Sequence, residues 1–385
     1  MSPYLSSMDL KLFFDPVDID VDKSASSFQN AIYINQHKMP DHDGLDIALI
    51  GLNEYRGIAG EVKSHSANEV RKQLYKLKKG FGDYGIVDLG NFRNGPSIED
   101  TYLRLKEVCA YLISKEIVPL LFGGSQDLCL GQYYAYEDAE KLVSLLNIDN
   151  KIDFDGETEA DKYLSKIFKH SPNYLFNYYH LGYQSYLSNQ KDLELIDMLS
   201  FETFRLGAVK ENIKEIEPIV RDADILTFDI SAIQASYVPG ALDAKVYGLT
   251  GEEACQLTWY AGQNEKLNSV GIYNYLGDKD SEDGKTAFVI STMIWYFIEG
   301  FYNRKGDKIF KSNDYLMYEV HLGGEPDTIR FYKSKLSERW WMEVPNEKDS
   351  GLFNRNRMLA CSYSDYELAT KGEVPDRWIN FLNKD

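Results

Sequence analysis

Three stretches of this chain end an apolar run with side chains that could do chemistry. VPLLFGG (118–124) leads into Ser125, Gln126 and Asp127. LVSLLNI (142–148) leads into Asp149, Asn150, Lys151, Ile152 and Asp153, and ILTF (225–228) into Asp229, Ile230, Ser231, Ala232, Ile233 and Gln234. In open parallel sheets, ligands bind beyond the carboxyl ends of the strands. Segments of this kind therefore bring acids and amides to one edge, where carboxylates could take a hard cation or divide acid and base roles. Any single Asp there is more often a helix N-cap or a loop acid. Three acid-bearing strand ends together point to a site.

Two kinds of element must position these residues. Apolar runs recur at 46–52, 85–91, 118–124, 142–149, 178–183, 204–208, 224–230 and 270–275. They are nearly continuous in hydrophobicity and read as strands covered on both faces of a parallel sheet. Helical patterns separate them. Ser66-Ala-Asn-Glu69 and Thr250-Gly-Glu-Glu253 have the form of capping boxes, in which the hydroxyl accepts from the third helical N–H and the Glu reaches back. Gly80 is expected to close the first of these helices. Gly284-Lys-Thr-Ala opens a strongly apolar helix, TAFVISTMIWYFIEGFY, that must be largely covered. Eight strands with helical crossovers predict a three-layer α/β/α sandwich with an eight-stranded, mainly parallel sheet over residues 45–305, preceded by an N-terminal arm (1–44). After 305 the rhythm breaks. YLMYEVHL (315–322) and TIRFYKSKL (328–336) flank a Gly-Gly-Glu-Pro-Asp turn as a β-hairpin, followed by RWWMEVP and a terminal DRWINFL helix. Residues 306–385 are expected to form an extension packed on the core, with Trp340, Trp341 and Trp378 carrying much of the burial.

Composition narrows the classes. The 385 residues include 42 basic and 60 acidic side chains, a net charge of −18. A surface of that sign repels polyanions and disfavours nucleic acid as a partner. Apolar residues at 44% and charged residues at 26% are ordinary globular values, so disorder or coiled coil does not describe the whole chain. The four cysteines (109, 129, 255 and 361) form no CxxC pair and suggest neither a zinc knuckle nor a disulfide scaffold. No apolar run approaches the ~20 residues of a membrane span. The first twenty residues lack a basic region followed by an apolar stretch, the pattern of a signal peptide. A cytoplasmic protein without membrane contact is expected.

The order and spacing of the three strand ends carry a resemblance. GGSQD (123–127), DNKID (149–153) and TFDISAIQ (227–234) resemble the GGDHS, DAHxD and SFDxDxxDP segments of the ureohydrolases, the superfamily of arginase, agmatinase and formimidoylglutamase. IGLNEYRGIAGE with NEVRKQL resembles the family's first strand, its Gly-rich loop and the helix carrying an Arg, here Arg71. VDLGN (87–91), GALDAKVYGLTGEEA and IYNYLGDKDSEDGKTA resemble later family segments, so that coverage runs over roughly 45–305. The resemblance implies the same eight-stranded sandwich and a metal-dependent hydrolase of linear amidine C–N bonds. In that family two His and four Asp hold two manganese ions, which generate a hydroxide that attacks an amidine or guanidine carbon.

The chain departs from this pattern at the ligands. Matched position by position, the two metal-binding His are Gln126 and Lys151, and the second Asp of the third motif is Ser231. Asp149, Asp153 and Asp229 are retained, and the acidic residue that helps hold the substrate in the family falls on Asn274. The resemblance thus implies a degenerate centre of Asp149, Lys151, Asp153, Asp229 and Asn274. It would hold at most one divalent cation, on Gln126, Asp149, Asp153 and Asp229, with ligand positions lost at Lys151 and Ser231. A protonated ammonium cannot ligate a metal. Lys151 is expected to occupy the second metal position and pair with Asp149 and Asp229; alternatively one acid is protonated and hydrogen bonds close the centre without metal. None of the six His (37, 42, 65, 170, 180 and 321) lies in these motifs. His180 is expected to be a satisfied core histidine and His170 a loop residue.

Three functions compete. One is a pseudoenzyme that has lost the two-metal reaction and acts as a binding or scaffolding protein, taking a small amidine or guanidine ligand or a protein partner. Another is a working formimidoylglutamase- or agmatinase-like hydrolase using one metal or none. The third, a nucleotide-binding protein, is opposed by the absence of G-x-G-x-x-G after the first strand and of a P-loop. Ureohydrolases commonly oligomerise, so a homo-oligomer is compatible with any family reading.

Overall fold

A computed structural model describes residues 8–19, 27–60, 62, 66–137, 141–307, 312–345 and 357–382. His65, the N-terminal part of the expected arm and the segment after RWWMEVP fall outside them. Chain order begins β1 (Phe14–Asp15), β2 (Tyr33–Ile34), β3 (Ile47–Leu52), α1 (Ser66–Leu74), β4 (Ile86–Phe92), α2 (Ile98–Ser114), β5 (Val118–Gly123) and α3 (Cys129–Tyr134). It continues with β6 (Val143–Ile148), α4 (Tyr163–Phe168), β7 (Leu175–Tyr183), α5 (Gln190–Met198), β8 (Glu202–Arg205), α6 (Leu206–Glu211), α7 (Glu217–Asp222) and β9 (Ile225–Asp229). Then come α8 (Gly251–Gln263), β10 (Ser269–Tyr273) and α9 (Lys285–Phe301). The last part holds β11 (Tyr315–His321), β12 (Thr328–Ser334), β13 (Trp340–Val344), β14 (Arg357–Cys361), α10 (Tyr363–Thr370) and α11 (Asp376–Leu382).

All eight apolar runs contribute residues to strands of one sheet, ordered β1-β4-β3-β5-β10-β9-β6-β7-β8 with β2 also on β4. The eight long strands run parallel. Two short strands from the N-terminal arm extend the expected eight to ten, with β1 antiparallel to β4. Strands β3, β5 and β6 are buried at every position, as strands covered on both faces must be. One face packs on α1 and α6 to α9, the other on α2 to α5, which completes the three layers.

Local details depart from the expected boundaries. Thr250 and Glu253 form the capping box, but Ser66 is already helical and its hydroxyl accepts from Gly277 N at 3.0 Å. The first helix ends at Leu74, well before Gly80, and the run 204–208 turns into α6 after Arg205. Between α1 and the sheet lies a fully buried ion pair. Arg71 Nε and Nη2 donate to the two Asp88 oxygens at 2.8 and 2.9 Å, Tyr75 adds a hydroxyl at 2.7 Å, and Phe122 lies under the guanidinium at 5.1 Å.

The extension is larger than a hairpin. β11 and β12 pair as expected, yet they are half of an antiparallel sheet, β11-β12-β13-β14. RWWMEV supplies β13, and β14 pairs with it from beyond the intervening segment. Trp340 and Trp378 are buried in a core of the extension's own, with Phe331, Met342 and Leu359, and not against the sandwich. Trp341 faces the sandwich, with the Arg221 guanidinium of α7 over its ring at 4.3 Å. Arg221 also donates to the carbonyls of Trp340 (3.0 Å) and Cys361 (3.1 Å), and Arg339 donates to Gln263 Oε1 at 2.8 Å. The seam is thus arginine-rich, because a sheet whose apolar face is already covered by helices offers its polar face to a neighbour.

Candidate functional site

The strand register brings the three sequence segments together. Ile272 of β10 is level with Phe122 of β5 and Phe228 of β9, and Phe228 is level with Ile148 of β6. The residues following these positions therefore emerge at one sheet edge. Gly123 and Gly124 turn the chain after β5 with φ of +87° and +71°; a Cβ on Gly123 would stand 2.5 Å from Leu52 O, so the double glycine is required there. Asn274 follows β10 with φ +66°, a conformation Asn tolerates.

At the centre the protein's own donors engage the acids. The surroundings of Gln126 assign its amide nitrogen to the acid side, 3.1 Å from Asp149 Oδ2 and 3.2 Å from Asp229 Oδ2, while its oxygen accepts from the Tyr163 hydroxyl at 3.1 Å. The opposite orientation would aim a carbonyl at two carboxylates. Asn274 Nδ2 donates to Asp229 Oδ2 at 2.6 Å, and Asn274 Oδ1 accepts from Gln126 N at 3.1 Å. Ser231 N donates to Asp229 Oδ1 at 2.7 Å, while the Ser231 hydroxyl reaches Asp149 Oδ1 only at 3.4 Å. Asp149 also shares a side-chain hydrogen bond with Asp153.

Lys151 does not take its expected partners. Its ammonium pairs with Asp153 Oδ1 at 2.7 Å and Asp161 Oδ1 at 2.9 Å, and its side chain remains 30% exposed. Asp149 and Asp229 feel it only at longer range. The reason is geometric: Asp161, in the loop before α4, offers a partner at the rim, where an ammonium keeps part of its hydration.

Burial dominates the electrostatics. Asp149 is 0% exposed, and desolvation with repulsion from Asp229 and Asp153 pushes its pKa well above the carboxylate range. Burial also raises Asp153, to about 6, against the pull of Lys151. Asp229 is raised by burial, with the Ser231 N–H and the Asn274 amide working the other way. For Lys151 burial opposes the charge, but Asp153 and Asp161 outweigh it and raise the pKa. His180 is a core residue as expected. Its Nδ1 lies 2.8 Å from the Tyr178 hydroxyl, and burial lowers its pKa to about 4, which keeps it neutral. His170 lies just beyond α4, pairs with Glu137 and packs on Tyr134.

Loops after four strands close over this edge. Tyr55 and Ile58 follow β3, Ala160 follows β6, Leu242 follows β9 and Leu276 follows β10; together they form an apolar cluster. Backbone bonds from Ala160 N to Gly57 O (2.9 Å) and Leu242 N to Asn274 O (2.9 Å) tie the loops together. Sequence reading did not single out these residues, nor Asp161, Asn147 or Tyr163. Asn147, a buried amide inside an apolar strand and 2.9 Å from the Gln126 side chain, left a trace as one of two polar breaks in LVSLLNI, the other being Ser144.

A ten-stranded parallel-rich sandwich with acids converging at the central strand ends defines an α/β/α protein of the arginase-like class. The arginase family model matches residues 60–299, and the chain belongs to that family. A search of curated proteins finds no match. Among solved structures, Trypanosoma cruzi formiminoglutamase with Mn2+ is 16% identical, with a TM-score of 0.63 over 69% of this chain and 96% of that one. Bacillus subtilis formimidoylglutamase is also 16% identical, at TM-score 0.64 over 74% and 95%. Thermoplasma volcanium agmatine ureohydrolase is 17% identical, at TM-score 0.57 over 68% and 92%. These similarities establish the fold.

The residues at this centre do not fit a manganese pair. Among the described residues no group of three or more His, Cys, Asp or Glu is arranged to hold a metal ion. The Gln126 amide stands between Asp149 and Asp229, and neither Lys151 nor Ser231 offers the imidazole or carboxylate of the family motif.

Proposed function

We propose that this arginase-family chain no longer runs two-manganese hydrolysis and acts through binding, as a pseudoenzyme. The observation that carries the reading is the position of the Gln126 amide group, which stands within 3.1 Å of Asp149 Oδ2 and 3.2 Å of Asp229 Oδ2. In the family's chemistry a manganese pair supplies a metal-bound hydroxide at neutral pH. Here the side chains do something else: Gln126, Asn274 and Ser231 N supply donors to the acids, and Asp149 carries a proton toward Asp153. Asn274, neutral where the family has an acid, offers no charge for a guanidinium or amidine.

A second reading, a hydrolase of formimidoylglutamate or agmatine using one metal or none, rests on Asp149, Asp153 and Asp229 still converging and on Asp153 titrating at about 6. The two readings separate in one experiment. Purified protein is given manganese, analysed for metal per chain, and assayed on arginine, agmatine and formimidoylglutamate. The binding reading expects at most one ion per chain and turnover far below the enzymatic median of ~10 s⁻¹. Two ions per chain, or turnover near that median, overturns it. The triple variant Gln126→His, Lys151→His, Ser231→Asp is expected to gain manganese binding over the native chain.

A further inference from the structure

The acid centre uses the carboxyl ends of the strands; a separate cleft of about 520 Å³ lies at their amino ends. Ile117 and Val118 lead into β5, Lys141 precedes β6, Leu267 precedes β10, and Arg304 follows α9. The inner charges of this cleft are satisfied, with one exception. The Lys141 ammonium meets Asp224 Oδ1 at 2.8 Å, and Lys266 meets Asp222 Oδ1 at 3.2 Å and Asp224 Oδ2 at 3.3 Å. Glu265 Oε1 accepts from the backbone N–H groups of Lys305, Gly306 and Asp307 at 3.1, 2.6 and 2.9 Å. Glu116 is exposed at the rim and keeps its hydration. Arg304 is the exception. Its Nε donates to Gly262 O at 2.9 Å and its Nη2 to Leu267 O at 3.3 Å, with the guanidinium over the Phe301 ring at 3.9 Å. Among the described residues it has no ion pair. Glu265 and Asp46 act on it only at longer range, and burial lowers its pKa to about 10.

A partly desolvated guanidinium without a counter-charge gains from an anion brought against it. Of the five N–H donors of Arg304, two are used by Gly262 O and Leu267 O, and the unused ones sit on Nη1 and Nη2. That terminal fork matches the two oxygens of one carboxylate. The neighbours set the charge of the ligand. One unpaired cation takes one negative charge, and a dianion would bring its second charge against Glu265 and Glu116. The rest of the wall is apolar, with Ile113, Ile117 and Leu267 beside the polar groups, the mixture typical of a small-molecule site. We propose that this cleft binds a small organic monoanion, its carboxylate on the Arg304 fork and its apolar body against Ile113, Ile117 and Leu267. The site is independent of the state of the buried acid centre.

The test uses the full chain with sodium benzoate as probe, benzamide as its neutral counterpart and inorganic phosphate as the dianion. Binding is read by ligand-observed NMR titration, with phosphate read as a competitor of benzoate. Benzoate is expected to bind with a dissociation constant on the order of millimolar, as suits so small a ligand. Benzamide should bind about tenfold or more weakly, having lost the charge-assisted bonds. Arg304→Gln should weaken benzoate by about tenfold or more on the same ground, and Arg304→Lys, which keeps the charge and loses the fork, by less. Glu116→Gln, at the exposed rim, should tighten benzoate by removing a like charge while leaving the melting temperature unchanged. If Arg304→Gln melts below the native chain, Glu116→Gln decides, and its failure to tighten benzoate overturns the proposal. Absence of benzoate binding, equal binding of benzamide, or unchanged binding by a folded Arg304→Gln also overturns it. So does phosphate that binds as tightly as benzoate.

Discussion

Two buried charge clusters in the sandwich are compensated in opposite ways. Arg71 and Asp88 are both fully buried and meet as a planar fork on a carboxylate, with Asn91 Oδ1, Gly90 O and Tyr75 using the remaining positions. The acid centre gathers Asp149, Asp153 and Asp229, but its cation stands at the rim, where of these three it touches Asp153 alone and turns its other contact to Asp161. Its interior is satisfied by neutral amides and a retained proton. The contrast teaches what a centre without matching cations must do: it lowers its own charge by raising carboxylate pKa values and recruits donors that carry none.

The largest expected effect breaks the first cluster. Arg71→Met leaves Asp88 charged and buried, which costs about 3–5 kcal/mol; chemical denaturation measures it, and a loss below about 1 kcal/mol would mean that water reaches Asp88. Next comes the pH dependence of the second cluster. Asp153 is raised to about 6 from an unfolded value of ~3.9, so the native state binds the proton more tightly. Its contribution is fully present below pH ~4 and is lost as pH rises through about 6, on the order of 2–3 kcal/mol. His180, lowered to about 4, works oppositely, its contribution being present above its unfolded pKa of ~6.5 and lost as pH falls through about 4. Asp153→Asn should therefore remove the stabilisation on going from pH 6 to pH 4 and expose the His180 loss. Identical pH profiles for the two proteins would show that Asp153 is not the titrating group.

Smaller effects sharpen the contrast. Lys151→Met should cost only about 1–2 kcal/mol, because a partly exposed ammonium is screened and Asp153 can take up a proton. Thermal melts that place this loss beside that of Arg71→Met would make Lys151 a metal surrogate after all. Ser231→Ala should change stability by no more than about 0.5 kcal/mol, since only the backbone N–H of Ser231 makes a short bond in the centre. A larger loss would assign the hydroxyl to Asp149 as a true partner.

Much of the sandwich was legible because a strand buried on both faces has to be apolar throughout, and the eight runs announced it. The order of GGSQD, DNKID and TFDISAIQ likewise announced that Gln126, Asp149 and Asp229 would meet, because parallel strands with right-handed crossovers place their ends on one edge. Other features had no local signature. β1 and β2 are two residues long and exist only because β4 offers an open edge. β14 pairs with RWWMEV from thirteen positions beyond its end, so that the expected hairpin became half of a sheet with its own tryptophan core. The partner of Lys151 depended on where the loop carrying Asp161 returned, and the closure of the centre on four loops meeting through Tyr55, Ile58, Ala160, Leu242 and Leu276. Periodicity and motif order report burial and strand direction, which are local; which donor reaches which acid is set by the paths of loops that are distant in sequence, and only the folded chain decides it.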